Sequence, residues 1–221
     1  MELLSVNTGR SRPTEHRGAG GRTGIFKEPV DGPVAVAAPG PKGVAGSGLA
    51  GDDVVNRKHH GGDDQAVYAY AREDLDTWEW ELGRELPAGM FGENLTTRGL
   101  DVTHALIGER WRVGPRLLLE VTSARIPCMT FQGKLGEPGW IKRFTQAGAP
   151  GAYLRVIEPG EIRRGDPITV EHRPDHDVTV ALAFRAMTTE RALLPRVLEA
   201  GGALHPELRE GALKYIRTQE A

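Results

Sequence analysis

The chain has 221 residues, with 28 Lys plus Arg against 30 Asp plus Glu and a formal net charge of −2. That length holds one medium domain, or one domain with a small appendage, and the charge balance gives no field that favours nucleic acid or an anionic membrane. One cysteine permits no intramolecular disulfide, as expected of a reducing compartment. No segment approaches the ~18 apolar residues of a membrane span, and MELLSVNTGRSRP lacks the apolar run of a signal peptide. The expectation is a cytoplasmic, soluble protein without nucleic-acid or membrane partners. Its 29 Gly and 15 Pro are turn-rich and favour a β-heavy body.

In chain order, LLSVNTG reads as a strand ending at a turn. Residues 9–24 carry four arginines and read as a basic loop, either solvated or a clamp on an anionic ligand. PVAVAAPG alternates briefly and stops at a turn. Residues 41–65, from PKGVAGSG to GGDDQ, are small and polar, a composition common in functional loops. AVYAY predicts a short strand. REDLDTWEWELG predicts a helix with Leu75, Trp78 and Leu82 on one face and Gly83 as its stop, although the period extends back to Val67. FGENLTT reads as a strand entered from a turn. GERWRVG and RLLLEVTSAR read as a strand pair joined at Gly114-Pro115, and PGWIKRFTQAG as a short amphipathic helix. GAYLRVIEPG and RRGDPITVEHR add two strands around a Pro-Gly turn. Many short strands at close spacing predict a closed or nearly closed β-barrel.

The pattern changes beyond His172. HRPDH, with His172 and His176, looks like a chelating pair, but Pro174 denies it a helical face and it reads as a linker. Three short helices then fit VTVALAFRAM, ERALLPRVLEAGG and HPELREGALKYIRTQ. Asp177 or Thr179 caps the first, Gly201-Gly202 end the second, and Pro195 bends it. The expected organisation is a β-barrel domain over 1–173 and a three-helix subdomain over 177–221. The latter is too small for its own core and leans on the barrel.

Three stretches could carry chemistry. In TSARIPCMTFQG, Cys128 is a packing residue, a nucleophile or a metal ligand. Arg125, three residues upstream, would favour a thiolate if it faces the same way, and a thiolate suits a transition metal. In RKHHGGDDQAV, His59, His60, Asp63 and Asp64 are one candidate metal cluster, in a spacing that matches no known motif. Alternatively Gly61 and Gly62 let the backbone approach a ligand, with Lys58 and His60 meeting its anionic or polar groups. In FGENLTT, Glu93 and Asn94 could hydrogen-bond a planar heterocycle, or Glu93 could instead face the strand's other side.

KHHGGDDQAV, FGENL and RIPC, in that order, together with an opening VNTGR and GLAGD, resemble the MOSC family, specifically its YiiM-like branch. The likeness covers most of the chain and reaches the helical tail. It implies a mainly β fold with helices, a pyruvate-kinase-type β-barrel plus a small C-terminal three-helix subdomain. It also implies molybdenum-molybdopterin (Moco), with Cys128 bonded to the metal. The family's His-Gly-Gly turn falls on His60, Gly61 and Gly62, its acidic position on Asp64, its Phe-to-Leu motif on Phe91 to Leu95, and its basic position on Arg125. Cys128, Asp64 and Asn94 are then the expected catalytic residues. Lys58, His60, Gly61, Gly62, Glu93, Asn94 and Arg125 are the expected cofactor-binding residues. Related proteins reduce N-hydroxylated compounds, including nucleobases, to amines. The chain has no nicotinamide fingerprint and no cysteine cluster, so a flavin or iron–sulfur reductase is the expected electron donor. The alternative is a cofactor carrier or sulfur-handling module.

Overall fold

The structure is a computed structural model that describes residues 1–16 and 21–220; residues 17–20 of the basic loop lie outside them. Its body is a single eight-stranded sheet. From one edge inwards come β12 (Ile168–His172), β8 (Arg110–Val113), β9 (Leu117–Ala124), β10 (Ala152–Glu158) and β6 (Val67–Ala71). β7 (Leu95–Arg98), β1 (Glu2–Thr8) and β4 (Glu28–Pro29) complete the order. Neighbours are antiparallel except β6 and β7. That parallel pair needs a crossover, which α1 (Arg72–Leu82) supplies. Helix α1 ends where expected, with Gly83 left-handed and its N–H bonded to the Glu79 carbonyl. Strands β6 and β9 are buried along their whole length, as strands covered on both faces must be.

Two short pairs stand apart: β2 (Arg12–Pro13) with β3 (Arg22–Thr23), and β5 (Val34–Val36) with β11 (Gly160–Ile162). The sequence did not separate β11 from its neighbours, because the chain leaves β10 and pairs elsewhere without a long loop.

The expected barrel is met in part. Both edges of the sheet come to β1. Residues 7–8 pair with β4, while Leu3 bonds the Asp166 carbonyl at 2.9 Å and Ile168 bonds the Met1 carbonyl at 3.0 Å. Glu2 and Pro167 form one isolated bridge there. Pro167 has no N–H to give, and no ladder closes the ring.

Helices α2 (Met129–Leu135) and α3 (Trp140–Ala147) pack on the sheet through an aromatic cluster. Phe91 stands edge-on to Phe131 at 5.0 Å and to Trp140 at 5.5 Å, and Trp140 lies 4.5 Å from Trp78. Such pairs contribute about 0.5–1.5 kcal/mol beyond area burial. At the C-terminus come α4 (Val180–Thr188), α5 (Leu194–Val197) and α6 (Pro206–Gln219). Thr179 caps α4 by accepting from the Leu182 N–H at 3.0 Å. Pro195 sits in the first turn of α5, where its missing N–H costs nothing, so it opens that helix rather than bending it. Val178, Val180, Phe184, Val197, Leu204 and Leu208 belong to the same buried cluster as the sheet residues.

Candidate functional site

A cleft of about 510 Å³ opens where β9 runs out, where β7 begins and where the segment before β6 passes over the sheet. Its walls include Lys27, Asp52, His60, Gly61, Tyr68, Asn94 and the run Arg125–Thr130.

Cys128 lies on this wall. It is a free, half-buried thiol at the N-cap of α2, in an extended conformation that turns the chain from β9 into the helix. Helix α2 holds it in place through buried Phe131 and Leu135. Arg125 is buried, at 7% exposure. Its guanidinium donates to the Phe91 carbonyl and lies over the Phe131 ring at 4.4 Å and the Tyr68 ring at 4.9 Å. Burial works against its charge, but Tyr68, Tyr153 and Cys128 more than offset this and hold its pKa up. Arg125 and Cys128 line the same cleft.

The floor is a polar web. One Asp52 oxygen accepts from the Gly9 N–H at 2.8 Å and pairs with Lys27, and the other accepts from Asn94 Nδ2 at 2.9 Å. Asn94 Oδ1 accepts from the Tyr68 N–H at 3.1 Å. Burial lowers the pKa of Lys27, with Asp52 opposing. Burial also lowers Lys134 to about 7, and its ammonium bonds the Ile25 and Gly89 carbonyls at 2.9 and 2.6 Å. His60 falls to about 4, first through burial and then through Arg125, His59 and Lys42. It is therefore neutral near pH 7, and meets a ligand as a hydrogen-bonding ring rather than as a cation.

Of the expected residues, Cys128, Arg125, Asn94, His60 and Gly61 meet on this wall, and the others do not. Glu93 is fully buried and faces away. Its carboxylate accepts from the Gly89 and Phe91 N–H groups at 2.6 and 3.0 Å and from the Thr96 hydroxyl at 2.9 Å. It thus folds the turn that carries Asn94. Asp64 lies off the wall, 2.6 Å from Arg155. Lys58 is exposed and also off the wall.

The glycine turn is packed closely against the chain's own backbone. A Cβ on Gly62 would come within 2.6 Å of Lys42 Cα, and one on Gly61 within 2.6 Å of the Gly46 carbonyl oxygen. The closeness is to the chain's own 42–46 loop. The metal cluster of His59, His60, Asp63 and Asp64 does not form: Asp63 accepts from the Gly40 N–H at 2.8 Å and Asp64 is paired with Arg155. Among the described residues no three His, Cys, Asp or Glu converge on a metal position.

Sequence reasoning missed Lys27, Tyr68 and Tyr153 as wall residues. Asp52 had a signal, since GLAGD was singled out without assigning its aspartate a role. Lys27 and Tyr153 sit in segments with no motif, and only the fold brings them in.

The MOSC domain family model matches residues 56–169. The uncharacterized protein YflK of Bacillus subtilis is 33% identical over 183 residues, 83% of this chain and 79% of that protein. A protein of Gibberella moniliformis named "Reductase" is 33% identical over 178 residues, 78% of this chain but only 29% of that much longer protein. Among solved structures, YiiM from Geobacillus stearothermophilus superposes with a TM-score of 0.76 at 28% identity, covering 96% of this chain and 97% of the other.

Proposed function

Since the chain belongs to the MOSC family and is YiiM-like, we propose that it is a molybdenum-cofactor-dependent reductase that converts N-hydroxylated compounds to amines. The observation that carries this reading is that Cys128, the chain's one thiol, shares the wall of one cleft with buried Arg125. The residues fit such a group. A volume of about 510 Å³ lies in the range of cofactor pockets. Cys128 offers a ligand of the right softness. Arg22, Lys27 and Arg125 line the same space and suit a phosphate-bearing, electron-rich ligand.

The reaction is R–NH–OH plus two electrons and two protons giving R–NH2 plus water. The N–O bond breaks, and nitrogen keeps the electron pair that the donor supplies. No side chain provides that pair; the bound cofactor would supply the two-electron chemistry. The chain's own part is to hold, orient and shield. Cys128 would anchor the metal. Arg125, fixed by the Phe91 carbonyl and two rings, would place a permanent charge beside it. Asn94 and Asp52 would keep the floor rigid, and neutral His60 would offer a hydrogen bond without repelling the cations around it. On the same footing, the curled sheet is read as a pyruvate-kinase-type barrel, supported by the meeting of β1 with residues 165–168.

Electrons are proposed to come from a flavin or iron–sulfur reductase. The single thiol cannot store two electrons as an intramolecular disulfide, and the long Gibberella relative that contains a similar segment carries the name reductase.

The test is protein expressed in a host that makes the cofactor. Molybdenum and pterin should co-purify, and an N-hydroxylated purine should yield its amine with a reduced viologen dye but not with NADH alone. Cys128→Ala should lose the molybdenum while melting within about 1 kcal/mol of wild type. Wild-type molybdenum content in that variant would overturn the ligand assignment. Loaded protein that turns over nothing with any donor would make it a cofactor carrier instead.

A further inference from the structure

Tyr68 on β6 and Tyr153 on β10 are direct partners across an antiparallel pair, and their rings lie 5.3 Å apart. Opposed residues share a face of the sheet, and both rings line the cleft that holds Cys128. Their hydroxyls differ in what they meet. Tyr68 Oη donates to the Pro150 carbonyl at 2.8 Å. Tyr153 is half-buried, and among the described residues its hydroxyl has no hydrogen-bond partner. It is not one of the sealed polar atoms either, so a molecule in the cleft can meet it.

Tyr153 also lines a smaller cleft of about 320 Å³ toward the C-terminal helices. The charges that its hydroxyl feels belong to the larger one. Burial raises its pKa, Arg125 opposes the rise and Cys128 adds to it, and those two residues line the larger cleft and not the smaller. The phenol therefore keeps its proton near pH 7, with a cation in reach that would stabilise the phenolate. Neighbouring polar groups on the wall are committed elsewhere. Lys27 is paired with Asp52, and Asn94 is bonded at both ends of its amide. The Arg125 guanidinium holds its protons at any ordinary pH. His60 is already neutral and has no excess proton to give.

We propose that Tyr153 is the proton donor of the reduction, its O–H meeting the hydroxyl oxygen of the N-hydroxylated substrate. The proposal rests on the reductase reading for the proton step; the contact itself does not need it. As the N–O bond breaks, the Tyr153 proton passes to that oxygen, which leaves with the bonding pair as water. Nitrogen gains the two electrons that the cofactor supplies and takes its proton from solvent. Solvent then returns a proton to the phenolate, so two electrons and two protons are consumed in all. Tyr68, its hydroxyl spent on Pro150, has the structural half of the pair, and Tyr153 the chemical half.

The test has two arms. The first uses the full chain without cofactor and two probes, N-hydroxybenzamide and benzamide, which differ by the one oxygen atom. Binding is titrated by ligand-observed NMR near pH 7. Wild type should hold N-hydroxybenzamide about fivefold more tightly, the worth of one hydrogen bond. Tyr153→Phe keeps the ring and removes only Oη; it should melt as wild type does and bind the two probes equally. His59→Gln, which alters the exposed imidazole on the same rim, should keep the preference. The second arm mixes loaded, pre-reduced protein with limiting N-hydroxylated purine and follows a single turnover. Tyr153→Phe should slow that step about 100-fold, as loss of a general acid does, with molybdenum content unchanged. Equal binding of the probes by wild type, or an unchanged preference in Tyr153→Phe, would overturn the contact. A single-turnover rate in Tyr153→Phe within about twofold of wild type would overturn the proton step, and transfer of both losses to His59→Gln would overturn the assignment to Tyr153. If loaded wild type turns over nothing, the reductase reading falls and the proton step with it, while the first arm still decides the contact.

Discussion

Asp52 ties three parts of the chain together beneath the cleft: the Gly9 backbone, Lys27 and Asn94. Its side chain is 1% exposed and that of Lys27 is 8% exposed. Removing one partner of such a pair leaves the other buried and uncompensated, at a cost of about 3–5 kcal/mol. Asp52→Ala should therefore lower the unfolding free energy by that much and shift the urea midpoint down accordingly, and Lys27→Met with Asp52→Leu should recover part of the loss. A midpoint unchanged in Asp52→Ala would mean the web is not a structural tie. His60 gives a pH signature. Its folded pKa of about 4 lies below the ordinary 6.5, so the unfolded chain binds the extra proton between those values. Stability is full above pH 6.5 and falls as pH drops toward 4, by at most about 3 kcal/mol less what solvent screening removes. Melting of His60→Leu should show a shallower acid slope than wild type; parallel slopes would refute the assignment. Cys128, Arg125 and His60 were legible because residue type and order mark them. For Glu93 the sequence left two directions open, and the choice was not legible, since the N–H groups of Gly89 and Phe91 that hold its carboxylate follow from the turn and not from a pattern.

Element boundaries followed the same physics. α1 was readable because Leu75 and Trp78 bury one face and Gly83 ends it. α2 was not: its seven residues, MTFQGKL, include an internal glycine and give too little periodicity. Its existence depends on Phe131 and Leu135 finding the aromatic cluster. The glycine turn before β6 offers a measurement at this scale. Gly62 and Gly83 both have positive φ, +80° and +64°. An added Cβ at Gly83 meets nothing within 4 Å, whereas at Gly62 it meets the Lys42 backbone. Gly83→Ala should cost about 1–2 kcal/mol, the left-handed penalty alone. Gly62→Ala should cost more, because the 42–46 loop must also move, and should disturb His60 through that loop. Equal losses in a denaturant titration of the two variants would show that the turn does not depend on close packing.

At the scale of the molecule, the helical tail reads in sequence as an appendage, because strand patterning stops at His172 and helical patterning follows. Its joints are invisible in that pattern, since they depend on single side chains far apart in sequence. Arg155 on β10 pairs with Asp64 at 2.6 Å and Glu120 at 3.2 Å, and also donates to the Gly202 and Ala203 carbonyls at 3.2 and 3.1 Å. The His205 N–H bonds the Thr122 carbonyl at 3.1 Å, and Phe144 stands edge-on to Phe184 at 6.3 Å. One buried cluster runs through both segments. A shared core without a linker surface should melt as a unit. The tryptophans, at 78, 80, 111 and 140, all lie outside the tail, so their fluorescence follows the sheet and its adjoining helices. Far-UV dichroism at the helix band also includes α4 to α6. The two probes should give coincident transitions in wild type. Arg155→Met, which cuts the largest polar joint, should lower both together, by on the order of 2–4 kcal/mol for a part-buried charge network. If dichroism is lost before fluorescence in wild type, the tail folds separately from the sheet.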